Sequence, residues 1–311
     1  MITDPLNPSK FAADCQDILI TGLQESKTFT LLKDNAPILN ETYNYDADGS
    51  IRITGLAKLL SQSLYGELKE GAQTHATAIF DFQIDGVTVF HKSIYAMRLQ
   101  NPRDPNGEKE ILTAAPDGVC YPGHPLLLTV IGQKTIRLSR REGTIATATI
   151  GTEGVVTTVD CDPAQIFPNQ YRRATYMDIG SEIERRIIPQ PCDGMVTVRF
   201  LNRYDMPECV TARYMTEKPT AQDDVSMMYG RKIRFGVQSA TEYSIFSDRL
   251  TFKDQYDTWQ DMLTSRKAQL LWHGQWIDII ITKSNYTRQR RDFYGSQIEI
   301  SFQTANPYMT L

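Results

Sequence analysis

Apolar and polar residues alternate along much of this chain, and the alternation predicts a fold built mainly of β-strands. Residues 27–34 (KTFTLLKD) repeat with period two, as a strand does when one of its faces is buried. Asp48-Gly49 opens a second alternating segment, Ser50-Ile51-Arg52-Ile53, and Leu56 to Leu64 then reads as a short helical turn or cap. The clearest hairpin covers residues 75–97. Ala76, Ala78, Phe80 and Phe82 alternate up to Asp85-Gly86, and Val87, Val89 and Tyr95 lead back. Asp-Gly suits a two-residue turn because both central positions need positive φ.

A diverged copy of this pattern follows. KTIRLSRR (134–141) lies 107 residues after KTFTLLKD, and GVVTTV (154–159) lies 105 after GSIRIT (49–54). Each of the latter pair is preceded by an acid, Asp48 or Glu153, and followed by a short apolar stretch. Tyr171 to Ile188 alternates around Ile179-Gly180 as the first block does around Asp85-Gly86. Such a spacing is the size of one β-sandwich, so two tandem sandwiches are expected; a single larger sandwich is the alternative.

Pro189-Gln190-Pro191 reads as a stiff linker, and the texture changes beyond it. Met195 to Leu201 and Arg231 to Val237 predict strands. Residues 254–268 predict the main helix. Tyr256, Trp259, Met262 and Leu263 recur at helical spacing, with Asp254, Asp257 and Asp261 early and Arg266 and Lys267 late. Two strands follow, 269–283 and 297–303, joined by a polar loop; partial alternation in 275–281 predicts burial on both faces of the first. The expected fold is therefore mainly β. It comprises two tandem β-sandwich domains, 1–110 and 111–190, and a C-terminal α+β domain, 191–311, with one main helix on a sheet.

Charge narrows the range of partners. The 311 residues carry a net charge of −4, split as −5 over 1–190 and +1 over 191–311. Neither part has the basic footprint that nucleic acid requires. No apolar run is long enough to span a membrane, and residues 1–10 lack the order of a secretion signal.

Little catalytic chemistry is legible. The five cysteines, Cys15, Cys120, Cys161, Cys192 and Cys209, are odd in number, irregularly spaced and free of any Cys-x-x-Cys pair. Cys120 and His124 stand four apart, but Pro122-Gly123 between them makes a turn and not a helical ligand pair. The histidines His75, His91, His124 and His273 form no zinc-binding spacing, and no nucleophile elbow, phosphate cradle or dinucleotide fingerprint occurs. No catalytic residue, cofactor or metal ligand is therefore assigned. Paired carboxylates leave no linear motif, so a glycosidase reading stays open; it needs two carboxyls about 5–10 Å apart in a cleft. Asp223-Asp224 reads as a solvated loop.

Interaction chemistry is richer. Trp272 and Trp276, with Tyr286 and Tyr294, could form a sugar-stacking platform or a protein contact. The two tryptophans share a parity, yet Gly274 between them could bulge the strand, and core packing against Trp259 is the plainer reading. Arg288, Arg290 and Arg291 read as a solvated loop tip or as arms gripping carboxylates of a neighbouring subunit.

One segment carries a resemblance. Arg199-Phe200-Leu201-Asn202-Arg203-Tyr204-Asp205-Met206-Pro207-Glu208 is similar to the Arg-Phe-Leu-Asn-x-Phe/Tyr-x-x-Pro-Glu segment of virion proteins from Bacteroidales phages and prophages. In that group a polar stretch, a Gly-Arg/Lys-aromatic strand, a helix and a closing strand pair follow, as Gly230 to Phe235, 254–268 and 269–303 do here. Asp46-Ala47-Asp48-Gly49 also resembles their N-terminal sandwich units. The resemblance implies a tail or baseplate type of structural protein that assembles in the bacterial cytoplasm and ends in the virion. Its partners would be itself and other tail proteins, with no catalytic residues and no cofactor. The absence of a fibre repeat or coiled coil argues against an elongated fibre. A carbohydrate-binding or adhesion module is the alternative, with a glycan as its partner.

Overall fold

Strand β2 (Lys27–Lys33) buries Phe29 and Leu31 and leaves the residues between them more open, so the period-two pattern becomes one face of a sheet. In the computed structural model, which describes residues 2–113, 117–189, 193–248, 250, 253–285, 297–306 and 311, this sheet has four strands. They are β3 (Ala36–Tyr43), β2, β6 (Thr77–Ile84) and β7 (Val87–Tyr95), in that spatial order. Asp85 (φ 50°) and Gly86 (φ 78°) close the β6–β7 hairpin, as the turn chemistry predicts. A two-stranded sheet of β1 (Ile18–Ile20) and β4 (Ile51–Ile53), with helix α1 (Leu56–Ser63), completes this unit. Ile18, Ile53, Leu56, Leu60, Phe80 and Phe82 meet in one core.

The same strand order then recurs. β9 (Leu127–Ile131) pairs with β12 (Val156–Asp160) as β1 pairs with β4. β11 (Gly143–Ile150), β10 (Lys134–Arg140), β13 (Tyr176–Ile179) and β14 (Ile183–Ile187) repeat the order of the first sheet. A short helix α2 (Pro163–Ile166), N-capped by the Asp162 side chain on Ala164 N, stands where α1 stood. Two additions break the symmetry. β8 (Asp117–Cys120) joins β14 in parallel, and β5 (Gly71–Ala72) from the first unit pairs with β12.

The C-terminal region forms one seven-stranded sheet. Its spatial order is β16 (Pro207–Ala212), β15 (Val196–Leu201), β19 (Ala268–Trp272), β20 (Gln275–Asn285), β21 (Glu299–Thr304), β18 (Arg231–Phe246) and β17 (Tyr214–Met228). Helix α3 (Lys253–Leu263) packs Tyr256, Trp259 and Met262 into the core with Phe200, Leu270, Ile300 and Phe302. The protein is mainly β, with its longest helix in this last region.

Several local expectations are corrected. The helix ends at Leu263 and not at 268, because Thr264 and Ser265 turn the chain back toward β19 (Ser265 N to Met262 O, 3.1 Å). The segment 269–283 is two strands. His273 (φ 49°) and Gly274 (φ 78°) make a tight turn that pairs Trp272 with Gln275. Burial on both faces of 275–281 does not hold either, since Ile279 is buried and Ile280 is 57% exposed. Asp223-Asp224 is not a loop but part of β17, at a register shift against β18. Gln190 and Pro191 of the expected linker lie outside the described residues. No described helix is long and apolar enough to cross a membrane.

Candidate functional site

Two hairpin ends on opposite edges of the C-terminal sheet carry the chemistry of interest. The first is the turn between β15 and β16, which holds the Leu201 to Glu208 segment. Asn202 builds it. Its Oδ1 accepts from the backbone N–H groups of Tyr204 (2.9 Å) and Met206 (3.2 Å). Its Nδ2 donates to Leu112 O and to Glu208 Oε2, both at 2.7 Å. With Asn202 wholly buried, every polar site on the side chain is matched. Asp205 takes the left-handed conformation (φ 59°) that lets so tight a turn close.

This turn enters the core of the first unit. Tyr204 and Met206 are fully buried there, with the Tyr204 ring 5.2 Å from Phe11 and its hydroxyl accepting from Asn101 Nδ2 at 2.7 Å. Gly66 makes the entry possible, since a Cβ at that position would meet Asp205 O at 2.1 Å. Arg203 spans the seam, donating to both carboxylate oxygens of Asp261 while its carbonyl accepts from Arg98 N and Leu99 N. Arg103 pairs with Asp257 at 2.5 Å, and Arg266 with Asp205. The aspartates Asp257 and Asp261, expected to favour the helix dipole, instead bind cations, Asp257 with Arg103 across the seam and Asp261 with Arg203 within the C-terminal region. Asp261 sits in the last turn of α3, where the dipole disfavours an anion, and Arg203 offsets that.

The second hairpin end is the opposite case. At their base, Tyr214 to Glu217 of β17 face Tyr243 to Phe246 of β18, and β21 backs this part. Tyr214 stacks on Phe246 at 4.6 Å and Tyr243 on Phe302 at 5.6 Å, which ties the base to the core. From Lys218 to Met228 the two strands pair, among the described residues, only with each other. Eleven residues at about 3.3 Å each make an arm of roughly 35 Å. Tyr229 (φ 52°) and Gly230 (φ 72°) form its turn. Met227, Met228 and Tyr229 are 67%, 55% and 95% exposed, and Arg231 and Lys232 beside them are exposed too.

The residues singled out from sequence fall differently. Because of the turn at 273–274, Trp272 and Trp276 face opposite sides of their hairpin: Trp276 lies beside Leu271, and Trp272 beside Gln275. Trp272 packs on the core that holds Trp259, and Trp276 lies under the Arg199 guanidinium at 4.2 Å. They form no shared platform. Tyr286, Arg288, Arg290 and Arg291, like Tyr294, lie outside the described residues.

A cavity of about 70 Å³ opens where the second unit meets the C-terminal sheet, lined by Asp117, His124, Arg185, Glu208, Asp248 and Trp259 among others. Glu208 is its deepest carboxyl. Both of its oxygens accept hydrogen bonds, from Thr113 Oγ1 (2.6 Å) and Asn202 Nδ2 (2.7 Å). Burial pushes its pKa up to about 7 against the pull of those two bonds. Asp248 lies 3.6 Å from Arg213 and accepts from the Tyr121 hydroxyl at 3.3 Å. This is a bonded junction between units. Cys120 and His124 form the expected turn, His124 N to Tyr121 O, and burial raises the Cys120 thiol to about 12, which keeps it unreactive. Among the described residues no group of three or more His, Cys, Asp or Glu could hold a metal ion.

Sequence reading missed the arm and the inserted turn. Strand β17 has no apolar alternation to reveal it, and burial of Tyr204 in a distant core leaves no local trace. No family model matches the chain, and no curated protein does. Among solved structures, it is similar to the virion of a native gene transfer agent particle. The identity is 11% and the TM-score 0.21, over 30% of this chain and 79% of the other. It is also similar to the tail of an empty gene transfer agent particle with C6 symmetry. There the values are 12% and 0.22, over 32% and 82%.

Proposed function

We propose that the chain is a virion structural subunit of the tail or baseplate type, acting through contacts with copies of itself and neighbouring tail proteins and not through catalysis. In this reading it is built of units 1–110, 111–190 and 191–311, assembles in the bacterial host cytoplasm and ends in the particle. The observation that carries the reading is the arm formed by β17 and β18. An isolated two-stranded ribbon is marginally stable in water, and among the described residues both of its edges stay open to pairing. An arm of this length with an apolar tip is a device for reaching another subunit. The motif resemblance supports the same reading, because its Asn, Tyr and Glu positions build the turn that locks the first unit to the sheet bearing the arm.

Sedimentation of the full chain tests this against a variant in which residues 218–242 are replaced by a short turn. The parent is expected to form concentration-dependent assemblies, and the shortened chain to remain monomeric with an unchanged melting temperature. A parent chain that stays monomeric at every concentration and ignores candidate tail proteins would overturn the reading.

A further inference from the structure

The arm's tip has a chemical complement elsewhere on the molecule. The tip combines two exposed thioethers and an exposed phenol with two cations, Arg231 and Lys232. A matching surface would offer aromatic rings and carboxylates. The charge distribution shows where to look. Residues 1–110 hold 15 Asp plus Glu against 10 Lys plus Arg, while residues 111–190 hold eight of each.

Within the first unit, residues 41–48 (ETYNYDAD) carry three carboxylates and no cation. All of them are exposed except Tyr43, which is half-buried, and Tyr45 is 46% exposed. The segment begins in β3, the outer strand of its sheet, where Glu41 to Tyr43 pair with β2 on one side, and among the described residues no strand of that sheet pairs with the other side. Its shape is held by its own backbone. Asp46 N donates to Ser50 O at 2.8 Å and Gly49 N to Asp46 O at 2.9 Å, and Gly49 O accepts from Leu23 N at 2.9 Å. Hydrogen bonds from the Ser50 hydroxyl and N–H hold the Asp48 carboxyl below the usual carboxylate range.

We infer that the tip Met227 to Lys232 of one copy docks on the acidic, tyrosine-bearing segment Glu41 to Asp48 of a second copy, an inference that rests on the self-assembly reading above. Met228 pairs with Arg231 and Met227 with Lys232, so each face of the tip offers one thioether and one cation, and the face laid on the segment meets the exposed Tyr45 ring in a favourable sulfur–aromatic contact. Arg231 and Lys232 meet Glu41, Asp46 and Asp48, and the guanidinium can also lie on a tyrosine face. Tip and segment are different surfaces, so the contact runs head to tail. It closes into a ring if the rotation permits and otherwise propagates.

Charge reversal in the full chain tests this. R231E/K232E is expected to weaken self-association about tenfold or more, and E41K/D46K to do the same. Each reversed chain alone is expected to dissociate, whereas mixing the two, or combining all four changes in one chain, restores assembly. If the four-fold variant stays dissociated while melting like the parent, the pairing is wrong. If R231E/K232E assembles like the parent while the chain lacking 218–242 is monomeric, the partner surface is wrong and the assembly reading stands. If both assemble normally, the arm is not the assembly device and the inference falls with it. Wild-type binding to phosphatidylserine vesicles that is lost in R231E/K232E, without any self-association, would assign the tip to a lipid surface and overturn the inference.

Discussion

The two edges of the C-terminal sheet end in hairpin turns that present apolar side chains beyond the sheet, with opposite outcomes. At one edge, Tyr204 and Met206 lie fully buried in a core that other residues of the same chain supply. At the other, Met227, Met228 and Tyr229 stand in solvent. The buried turn also bonds polar groups through Asn202, Arg203 and one carboxylate oxygen of Asp205, leaving Asp205 Oδ1 buried without a partner, whereas among the described residues the arm's turn is held by backbone pairing. One end is finished within the chain. The other ends in solvent.

The comparison can be broken most forcefully at Tyr204. Tyr204→Ala removes a buried ring and leaves Asn101 without its acceptor, so unfolding stability should fall by about 3–5 kcal/mol in a denaturant titration. A loss below about 1 kcal/mol would mean that the turn merely rests on the first unit.

Next in size is a pH effect at Glu208, the carboxyl that ties the buried turn to Thr113. Its folded pKa of about 7 lies above its unfolded value, so the folded chain retains a proton that the unfolded chain releases. Stability from this group is present at low pH, is lost as pH rises through about 7, and then levels off. Glu208→Gln should remove that slope, so that the variant gains stability relative to the parent as pH rises through about 7. Parallel stability curves for the two chains from acid to alkaline pH would show that the carboxyl is not held in this way.

Smallest in stability is the change at the arm. Tyr229→Ala should alter unfolding free energy by no more than about 0.5 kcal/mol, because the ring touches little of its own chain. Its effect should fall on self-association, read by sedimentation at matched concentrations. If Tyr229→Ala destabilises the monomer as Tyr204→Ala does, the contrast between the two edges disappears.

How much of this was legible beforehand differs from element to element. Strands with one buried face declared themselves: Phe29 and Leu31 in β2, Phe80 and Phe82 in β6, and Ile136 and Leu138 in β10 all sit where period two puts them. The recurrence of KTFTLLKD as KTIRLSRR marked a strand order that occurs twice. Strand β17 was hidden because Thr216, Glu217, Lys218 and Pro219 are exposed in succession, so no face was buried to create a rhythm. The turn at His273-Gly274 lacked the Asn-Gly or Asp-Gly signal, and missing it placed Trp272 and Trp276 on the same side. The role of Tyr204 depends on Phe11 and Asn101, far away in sequence, and no window of neighbouring residues contains that information.

The inserted turn also has a consequence for how the chain is made. Tyr204, whose ring packs against Phe11, leaves the ribosome 193 residues after it. Until then the N-terminal half carries an unfilled apolar socket, a contact of high sequence separation that slows its completion. Nascent chains at this stage should therefore depend on holdase chaperones. A truncation before residue 202 should bind hydrophobic dyes more strongly than the full protein.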